Sequence, residues 1–297
     1  MDFLSITTAW LFLAPAFLAA GVIYIWLKIQ QKKNRRPPFT KDFLRSPGET
    51  LRKQVDDLRD KFNDLILELV ISPVIGFVLW ASLDKRYAWV SFLVVLIFII
   101  YKIVQLVRLV NKNKALRLGW EGERAVGEEL NQLMLQGYRV FHDVPKELRG
   151  NVDHVVVGPN GVFAVETKAI SKDGNAKGAD AVKIAFDGKQ MIFPNGKKLT
   201  DPLDQSRRHA TWLKKFLSSS TGETFGVTPV VVVPGWYINR TGPSKEVFLL
   251  SGGEIQTAFS KLPGQKLNAV QIQRIAHQLD RLCRSVEPWT PQLKKAS

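Results

Sequence analysis

The hydrophobic and polar positions divide the chain into two parts at about residue 118. Before that point, three long apolar runs occupy about residues 3–27, 65–83 and 87–107, and the first of them holds no charged residue. About 20 apolar residues in a helix cross the ~30 Å hydrocarbon core of a bilayer. The pattern predicts three transmembrane helices in a membrane region that covers residues 1–118.

Basic residues flank these runs. The first run is followed by Lys28, Lys32, Lys33, Arg35 and Arg36, and the third by Arg108, Lys112, Lys114 and Arg117. Positive residues mark the cytoplasmic side of a membrane. We expect a multi-pass integral protein of the inner or plasma membrane, with its N-terminus outside and its C-terminal domain in the cytoplasm.

Between the first two runs, apolar residues recur at heptad spacing: Leu51, Val55, Leu58, Phe62, Leu65 and Leu69. This spacing predicts a cytoplasmic amphipathic helix over about residues 46–64 that continues into the second run. Two interpretations remain open. The segment 51–69 forms a homo-oligomer, or the helix packs on the chain's own cytoplasmic domain or on the membrane surface.

From Gly119 onward the pattern changes to that of a mixed α/β domain, which we place at residues 119–297 with its last helix ending near residue 285. Helices are predicted at 121–136, 203–217 and 269–284. Strands are predicted at 138–142, 152–157, 162–167, 181–186, 190–193, 227–233 and 246–250. The order of these elements predicts a mixed sheet flanked by helices.

Composition narrows the classes of function. The formal net charge is +15, and both parts of the chain are basic, which fits nucleic acid as a partner or an ordinary solvated surface. Cys283 is the one cysteine, which excludes an intrachain disulfide and cysteine-rich zinc sites. The apolar runs carry too little charge for an ion path, so a transporter is not expected.

A hairpin at residues 150–168 carries the candidate chemistry. Asp153 lies at the start of the first strand, and Glu166 and Lys168 lie at the end of the second. Alternation along a strand puts Glu166 and Lys168 on one face and Thr167 on the other, and a four-residue turn sets Glu166 opposite about Asp153. The hairpin therefore brings two carboxylates and an amine to one end of a sheet.

Two carboxylates leave positions at Mg²⁺ for water and a phosphate oxygen, and a lysine beside them stabilises developing negative charge. The chemistry fits metal-dependent cleavage of a phosphodiester. The alternative is an ion pair at a sheet edge, which a Glu-x-Lys sequence alone does not distinguish from a catalytic site.

Further motifs accompany the hairpin in a fixed order. Gly119-x-x-Gly122-Glu123 precedes it, the hairpin itself begins with Gly150-Asn151-Val152-Asp153-His154, and Gln205 with Arg208 and His209 follows it. Over about residues 119–217 the chain resembles the nuclease-related domain (NERD) family, a branch of the PD-(D/E)xK nuclease superfold. The resemblance implies a restriction-endonuclease-like α/β fold.

The resemblance also implies roles for individual residues. Asp153, Glu166 and Glu123 match the metal-binding acids, for Mg²⁺ or Mn²⁺, with Glu121 as an alternative to Glu123. Lys168 matches the catalytic lysine and Gln205 the later motif. The chain has Ala169-Ile170 where members often carry an aromatic residue after the lysine, which affects the expected loop contacts and not the acids.

Three histidine and arginine positions allow two interpretations. His209 lies one helical turn after Gln205, which allows it to face the same site. Alternatively, Arg207, Arg208 and His209 form a patch that contacts nucleic-acid phosphates or a solvated helix face. His154 should face away from Asp153 as a packed residue. Taken together, we expect a membrane-anchored, metal-dependent nuclease acting on DNA or RNA at the cytoplasmic face. The alternative is a catalytically inactive nucleic-acid-binding or membrane scaffold module.

Overall fold

A computed structural model describes residues 22, 25, 41–82, 88–146, 150–172, 178–244 and 246–286. The first predicted transmembrane run lies outside these residues, apart from Val22 and Ile25. The chain divides into two compact units, Met1–Phe43 with Ser285–Ser297, and Leu44–Arg284. The second unit holds every helix and strand given below except β1 and β11, each of which crosses one of its boundaries.

The described helices and strands have the following bounds. The α-helices are α1 (Glu49–Ser82), α2 (Ala88–Gln132), α3 (Asp201–Thr221), α4 (Ile255–Ala258) and α5 (Ala269–Cys283). The strands are β1 (Phe43–Leu44), β2 (Arg139–Pro145), β3 (Asn151–Gly158), β4 (Gly161–Thr167), β5 (Lys183–Phe186), β6 (Met191–Ile192), β7 (Lys198–Leu199), β8 (Val227–Val233), β9 (Tyr237–Arg240), β10 (Phe248–Ser251) and β11 (Arg284–Val286).

Two long helices, α1 and α2, contact each other. Helix α1 contains both the amphipathic segment and the second apolar run without a break. Helix α2 contains the third apolar run and continues through Gly119 to Gln132, so the helix predicted to begin at Glu121 in fact begins at Ala88. No proline interrupts the segment between the apolar run and Glu121, and a helix continues where nothing ends it.

Glycine within α2 permits close packing rather than a turn. A Cβ atom on Gly119 would lie 3.1 Å from Leu51 Cδ1, and one on Gly122 would lie 2.5 Å from the Cβ of Ala169. The helix ends instead through a 3-10 turn at Leu133–Gln136 and a left-handed Gly137 with φ 88°.

The apolar runs of both helices are exposed, and α2 is the one described helix long and apolar enough to cross a membrane. Its most apolar window has a mean hydropathy of 2.4 and none of it is buried. Within this region the amine of Lys102 on α2 forms an ion pair with Glu68 on α1. The two apolar segments therefore hold one pair of opposite charges that joins α1 to α2.

The centre of the unit is a five-stranded mixed sheet in the order β10-β8-β4-β3-β2. Strand β3 runs antiparallel to β2 and β4, whereas β4, β8 and β10 are mutually parallel. One face of this sheet packs against α3 and α5, and the other against α2 and α4. The mixed sheet flanked by helices that the sequence predicts is confirmed.

A smaller four-stranded sheet has the order β7-β6-β5-β9. Its apolar residues form a core with β8 that includes Val231, Val233 and the indole of Trp236. The segment predicted as a strand at 181–186 begins instead with a 3-10 turn, Ala179–Val182, so β5 starts at Lys183.

Candidate active site

Three elements bring the three predicted acids to one end of the central sheet. Glu123 comes from α2, Asp153 from β3 and Glu166 from β4. The register of β3 and β4 pairs His154 with Val165, and one further step along it sets Asp153 opposite Glu166, as predicted. The three residues are 7%, 6% and 5% exposed, so all three carboxyl groups are removed from bulk water.

Burial and mutual repulsion raise the pKa values of these acids. The pKa of Glu123 rises to about 9, first because of burial and then because of the charges on Asp153, Asp143 and Glu166. Burial, and next the charge of Glu166, also raises the pKa of Asp153 well above its ordinary value. Desolvated like charges favour the protonated form or a bound cation.

Glu166 is closer to positive charge than the other two acids. Burial raises its pKa to about 7, and the nearby charges of Lys168, Lys146 and Arg208 oppose that rise. A hydrogen bond from the side chain of Gln205 also lowers the pKa of Glu166. The structure thus brings Lys168 and Gln205 to Glu166, from the end of β4 and from α3.

Among the residues that the structure describes, three buried polar atoms at this site have no hydrogen-bond partner: Glu123 Oε2, Glu166 Oε2 and His209 Nδ1. Since buried polar groups are nearly always satisfied, two unpartnered carboxylate oxygens are what a site for a cation provides. Within the described part of the chain, no three His, Cys, Asp or Glu side chains stand close enough together to hold a metal ion as they are placed. The type and burial of the donors fit a divalent cation, and coordination by all three would need side-chain adjustment.

The predicted patch on α3 is divided between different environments. Arg207 is partly exposed and donates hydrogen bonds to Asp204 and Glu246. Arg208 lies near enough to Glu166 to affect its pKa. His209 is 3% exposed, with Nδ1 3.1 Å from Glu166 Oε2 in a geometry that does not form a hydrogen bond.

His209 therefore lies inside the site and not on a solvated helix face. Burial, followed by the charges of Lys146 and Arg208, lowers the pKa of His209 to about 4, so the ring is neutral at neutral pH. A neutral imidazole beside a buried carboxyl is available as a hydrogen-bond partner or a metal ligand.

Lys146 is a member of the site that the sequence motifs do not indicate. It follows β2, and its backbone N–H donates a hydrogen bond to Gly150 O at 3.1 Å. Burial lowers its pKa, while Glu166 and Asp153 raise it. The strand order could have indicated Lys146. Because β2 is antiparallel to β3, its last residue lies beside the start of β3, where Asp153 is, and Lys146 directly follows that last residue.

Asp143 is a second residue that sequence reasoning missed. It is completely buried, adopts φ 48° and accepts hydrogen bonds from Arg45, Thr50 and Asn151. Its charge contributes to the raised pKa values of Glu123 and Asp153. The residue joins the start of α1 to the strands that carry the site.

His154 faces away from Asp153 and Glu166, as strand alternation predicts. It is fully buried, and its ring nitrogens lie within hydrogen-bond distance of His142 and Thr167. Burial lowers the pKa of His154 well below its ordinary value, so it packs as a neutral ring.

Comparison with known proteins adds one finding. Searches among curated proteins and among solved structures found no match to the chain. Residues 118–234 match the family model of the nuclease-related domain (NERD), and they include every acid of the site together with Lys168 and Gln205. This segment of the chain is therefore similar to the nuclease-related domain family, in agreement with the resemblance carried by its motifs.

Proposed function

We propose that this protein is a metal-dependent nuclease that cleaves phosphodiester bonds in DNA or RNA. The observation that carries the proposal is that three buried carboxyl groups, from Glu123, Asp153 and Glu166, lie near enough for their charges to interact, and two of them keep an oxygen without a partner among the described residues. An ion pair that only stabilises the fold does not need three buried carboxyl groups near one another. A lone Glu-x-Lys pair at a sheet edge would leave Glu123 unexplained.

The residues divide into two groups by charge. The three carboxylates would hold Mg²⁺ or Mn²⁺, which when bound supplies Lewis-acid activation of a phosphate and of water. Lys168, Lys146 and Arg208 place positive charge beside Glu166, where it would attract a phosphate and stabilise the negative charge that develops on it. Gln205 donates to Glu166 and so orients that carboxylate.

The helix pair supports a membrane location for this activity. Exposed apolar side chains cover the second and third predicted runs on α1 and α2, as expected for surfaces in contact with lipid. Basic residues between the apolar run of α2 and the site fit a cytoplasmic position for the nuclease domain. Resistance of the full-length chain to alkaline extraction from membranes would support this part, and release into the soluble fraction would contradict it.

A cleavage assay tests the nuclease. The purified full-length chain, incubated with Mg²⁺ or Mn²⁺ and a panel of single- and double-stranded DNA and RNA, should cut at least one substrate, and a chelator should stop it. Glu123→Gln and Lys168→Ala should each lower the rate by at least about 100-fold, as loss of a group acting in the transition state does.

A matched control lies two residues from the helix acid. Glu121 is exposed, whereas Glu123 is buried, so Glu121→Gln should cut at the rate of the unmodified chain. Cutting that survives both Glu123→Gln and Lys168→Ala would mean that the site is elsewhere.

A second function has one observation in its favour. No three described acidic or histidine side chains stand at metal-binding distances, which would suit a module that binds nucleic acid without cutting it. Such a module would show salt-dependent binding to nucleic acid and no cleavage with any metal. The unpartnered carboxylate oxygens favour the nuclease.

A further inference from the structure

A line of hydrogen bonds runs behind the candidate site, on the face of the hairpin opposite to Asp153 and Glu166. Nε2 of His142 lies 3.0 Å from Asn131 Oδ1, and Nδ1 of His142 lies 2.9 Å from Nδ1 of His154. Nε2 of His154 in turn lies 3.1 Å from Thr167 Oγ1. The proposed chemistry uses none of these side chains, although both rings and Thr167 are buried.

The direction of each bond follows from its neighbour. A neutral imidazole carries one N–H and one acceptor nitrogen. Asn131 Oδ1 can only accept, so Nε2 of His142 carries the hydrogen and its Nδ1 accepts. His154 must then donate from Nδ1 and accept at Nε2, which leaves the hydroxyl of Thr167 as the donor at the end of the line.

Thr167 links this line to the site. Its backbone N–H donates to Asp153 Oδ2 at 2.8 Å. It also stands between Glu166 and Lys168, with its side chain on the opposite face of β4. Fixing the Thr167 hydroxyl therefore fixes the end of the strand from which the acid and the lysine project.

We propose that Asn131, His142, His154 and Thr167 form a hydrogen-bonded relay of fixed direction that positions Asp153, Glu166 and Lys168 for phosphodiester cleavage. The existence of the relay is inferred from geometry alone. Its effect on cleavage rests on the proposed function. Its members are positioning residues, because the contacts run through Thr167 to the site.

The direction of the relay has a spectroscopic signature. The chain has four histidines, so ¹⁵N-histidine labelling of the full-length protein gives few signals, which His142→Gln and His154→Gln would assign. At neutral pH we expect His142 as the Nε2–H tautomer and His154 as the Nδ1–H tautomer. Any other pair of tautomers, or averaged shifts showing exchange between them, would overturn the relay.

Kinetics test the consequence for the site. Thr167→Val removes the hydroxyl at nearly constant volume and should lower kcat by about tenfold, the lower end of the effect of losing a group that orients a metal ligand. KM should stay within about twofold, because Thr167 makes no contact with the substrate in the proposed site and its loss does not change how tightly the substrate binds. Thr167→Ser, which restores the hydroxyl, should recover kcat to within about threefold of the unmodified chain.

Asn131, at the far end of the relay from Thr167, provides an independent test of the positioning role. Asn131→Leu should convert His142 to a mixture of tautomers and lower kcat severalfold, with the thermal midpoint of each variant recorded beside its rate. Equal kcat in Thr167→Val and Thr167→Ser would overturn the positioning role. If the unmodified chain cuts nothing, the proposed nuclease fails, and the histidine tautomers still decide whether the relay exists.

Discussion

Asp143 accepts hydrogen bonds from both the backbone N–H and the hydroxyl of Thr50, at 3.2 and 2.8 Å. The same Oδ2 atom accepts from Arg45 Nε at 2.6 Å. A single carboxylate on β2 therefore holds the first turn of α1, which is the helix whose far end is apolar and exposed. The carboxylate of Asp143 thus attaches the start of α1 to the central sheet.

Loss of Asp143 should destabilise the protein severely. Asp143→Ala leaves Arg45 and Thr50 without their shared acceptor, and breaking a buried pair costs about 3–5 kcal/mol. Asp143→Asn should cost less, because asparagine tolerates the positive φ and keeps one acceptor oxygen. Denaturant unfolding measures both, with Glu128→Ala as the control. Its partner Arg124 is exposed, so that change should stay within about 0.5 kcal/mol.

Gly122 should not tolerate a methyl group. Alanine is favoured over glycine in a helix by about 1 kcal/mol, but here its Cβ would lie 2.5 Å from the Cβ of Ala169. We expect Gly122→Ala to lower stability by about 1–3 kcal/mol, the range for overpacking. Because Gly122 precedes Glu123 and Ala169 follows Lys168, the variant should also lose cleavage.

The control for this substitution is Gly253→Ala, since a Cβ there would meet nothing within 4 Å. It should unfold at nearly the same denaturant concentration as the unmodified chain. Equal stability of Gly122→Ala and Gly253→Ala would contradict the close packing of α2 on the end of β4.

Stability in a chelator should fall as pH rises from 7 to 9. In this window the unfolded chain has already ionised its glutamates, whereas folded Glu123, with its pKa raised to about 9, still binds a proton. A carboxyl group whose pKa is raised by folding stabilises the protein at low pH and loses that contribution as pH rises through the folded pKa. Thermal midpoints measured at pH 7, 8 and 9 should therefore decrease.

Replacement of Glu123 isolates its share of this pH dependence. Glu123→Gln cannot ionise, so its thermal midpoint should fall less between pH 7 and 9 than that of the unmodified chain. His142 and His209, whose pKa values are lowered to about 4, are neutral throughout this range and contribute little. Parallel curves for the two proteins would show that Glu123 does not titrate there.

Mn²⁺ should stabilise the folded chain. At a free concentration 100 times its dissociation constant, a ligand that binds only the folded state adds about 2.7 kcal/mol of stability. Asp153→Asn should remove most of this effect, whereas Asp180→Asn, at an acid whose side chain is 97% exposed, should keep it. A thermal midpoint that Mn²⁺ raises equally in both variants would place the ion elsewhere.

The sequence predicts the sheet better than it predicts the ends of the helices. Strand β8 has the bounds of its apolar run, and the hairpin register follows from alternation and turn length, because both are local properties. The start of α2 could not be predicted from the change of pattern at Gly119. The two glycines there are poor helix formers and suggest a break, and only their close neighbours in space explain why the helix continues through them.

The candidate site shows the same division between local and distant information. Asp153, Glu166 and Lys168 lie on one hairpin, so their proximity could be predicted from spacing. The spacing of His209 from Gln205 allows it to face the site or a basic surface patch, and only the packing of α3 on the sheet decides for burial beside Glu166. Lys146 and Asp143 belong to no motif, and their places depend on how β2 pairs with β3.

Because α2 is continuous, it fixes the distance between its apolar run and Glu123. From the end of its apolar run at Val107 to Glu123 the helix advances 16 residues, about 24 Å at 1.5 Å per residue, with no joint between them. Inserting one residue in this interval would rotate Glu123 about the helix axis by about 100° relative to the apolar run. Inserting seven residues would nearly restore its orientation and move it about 10 Å further along the axis from the apolar run. The distance and the rotation of Glu123 relative to the apolar run are thus set by the number of residues between them.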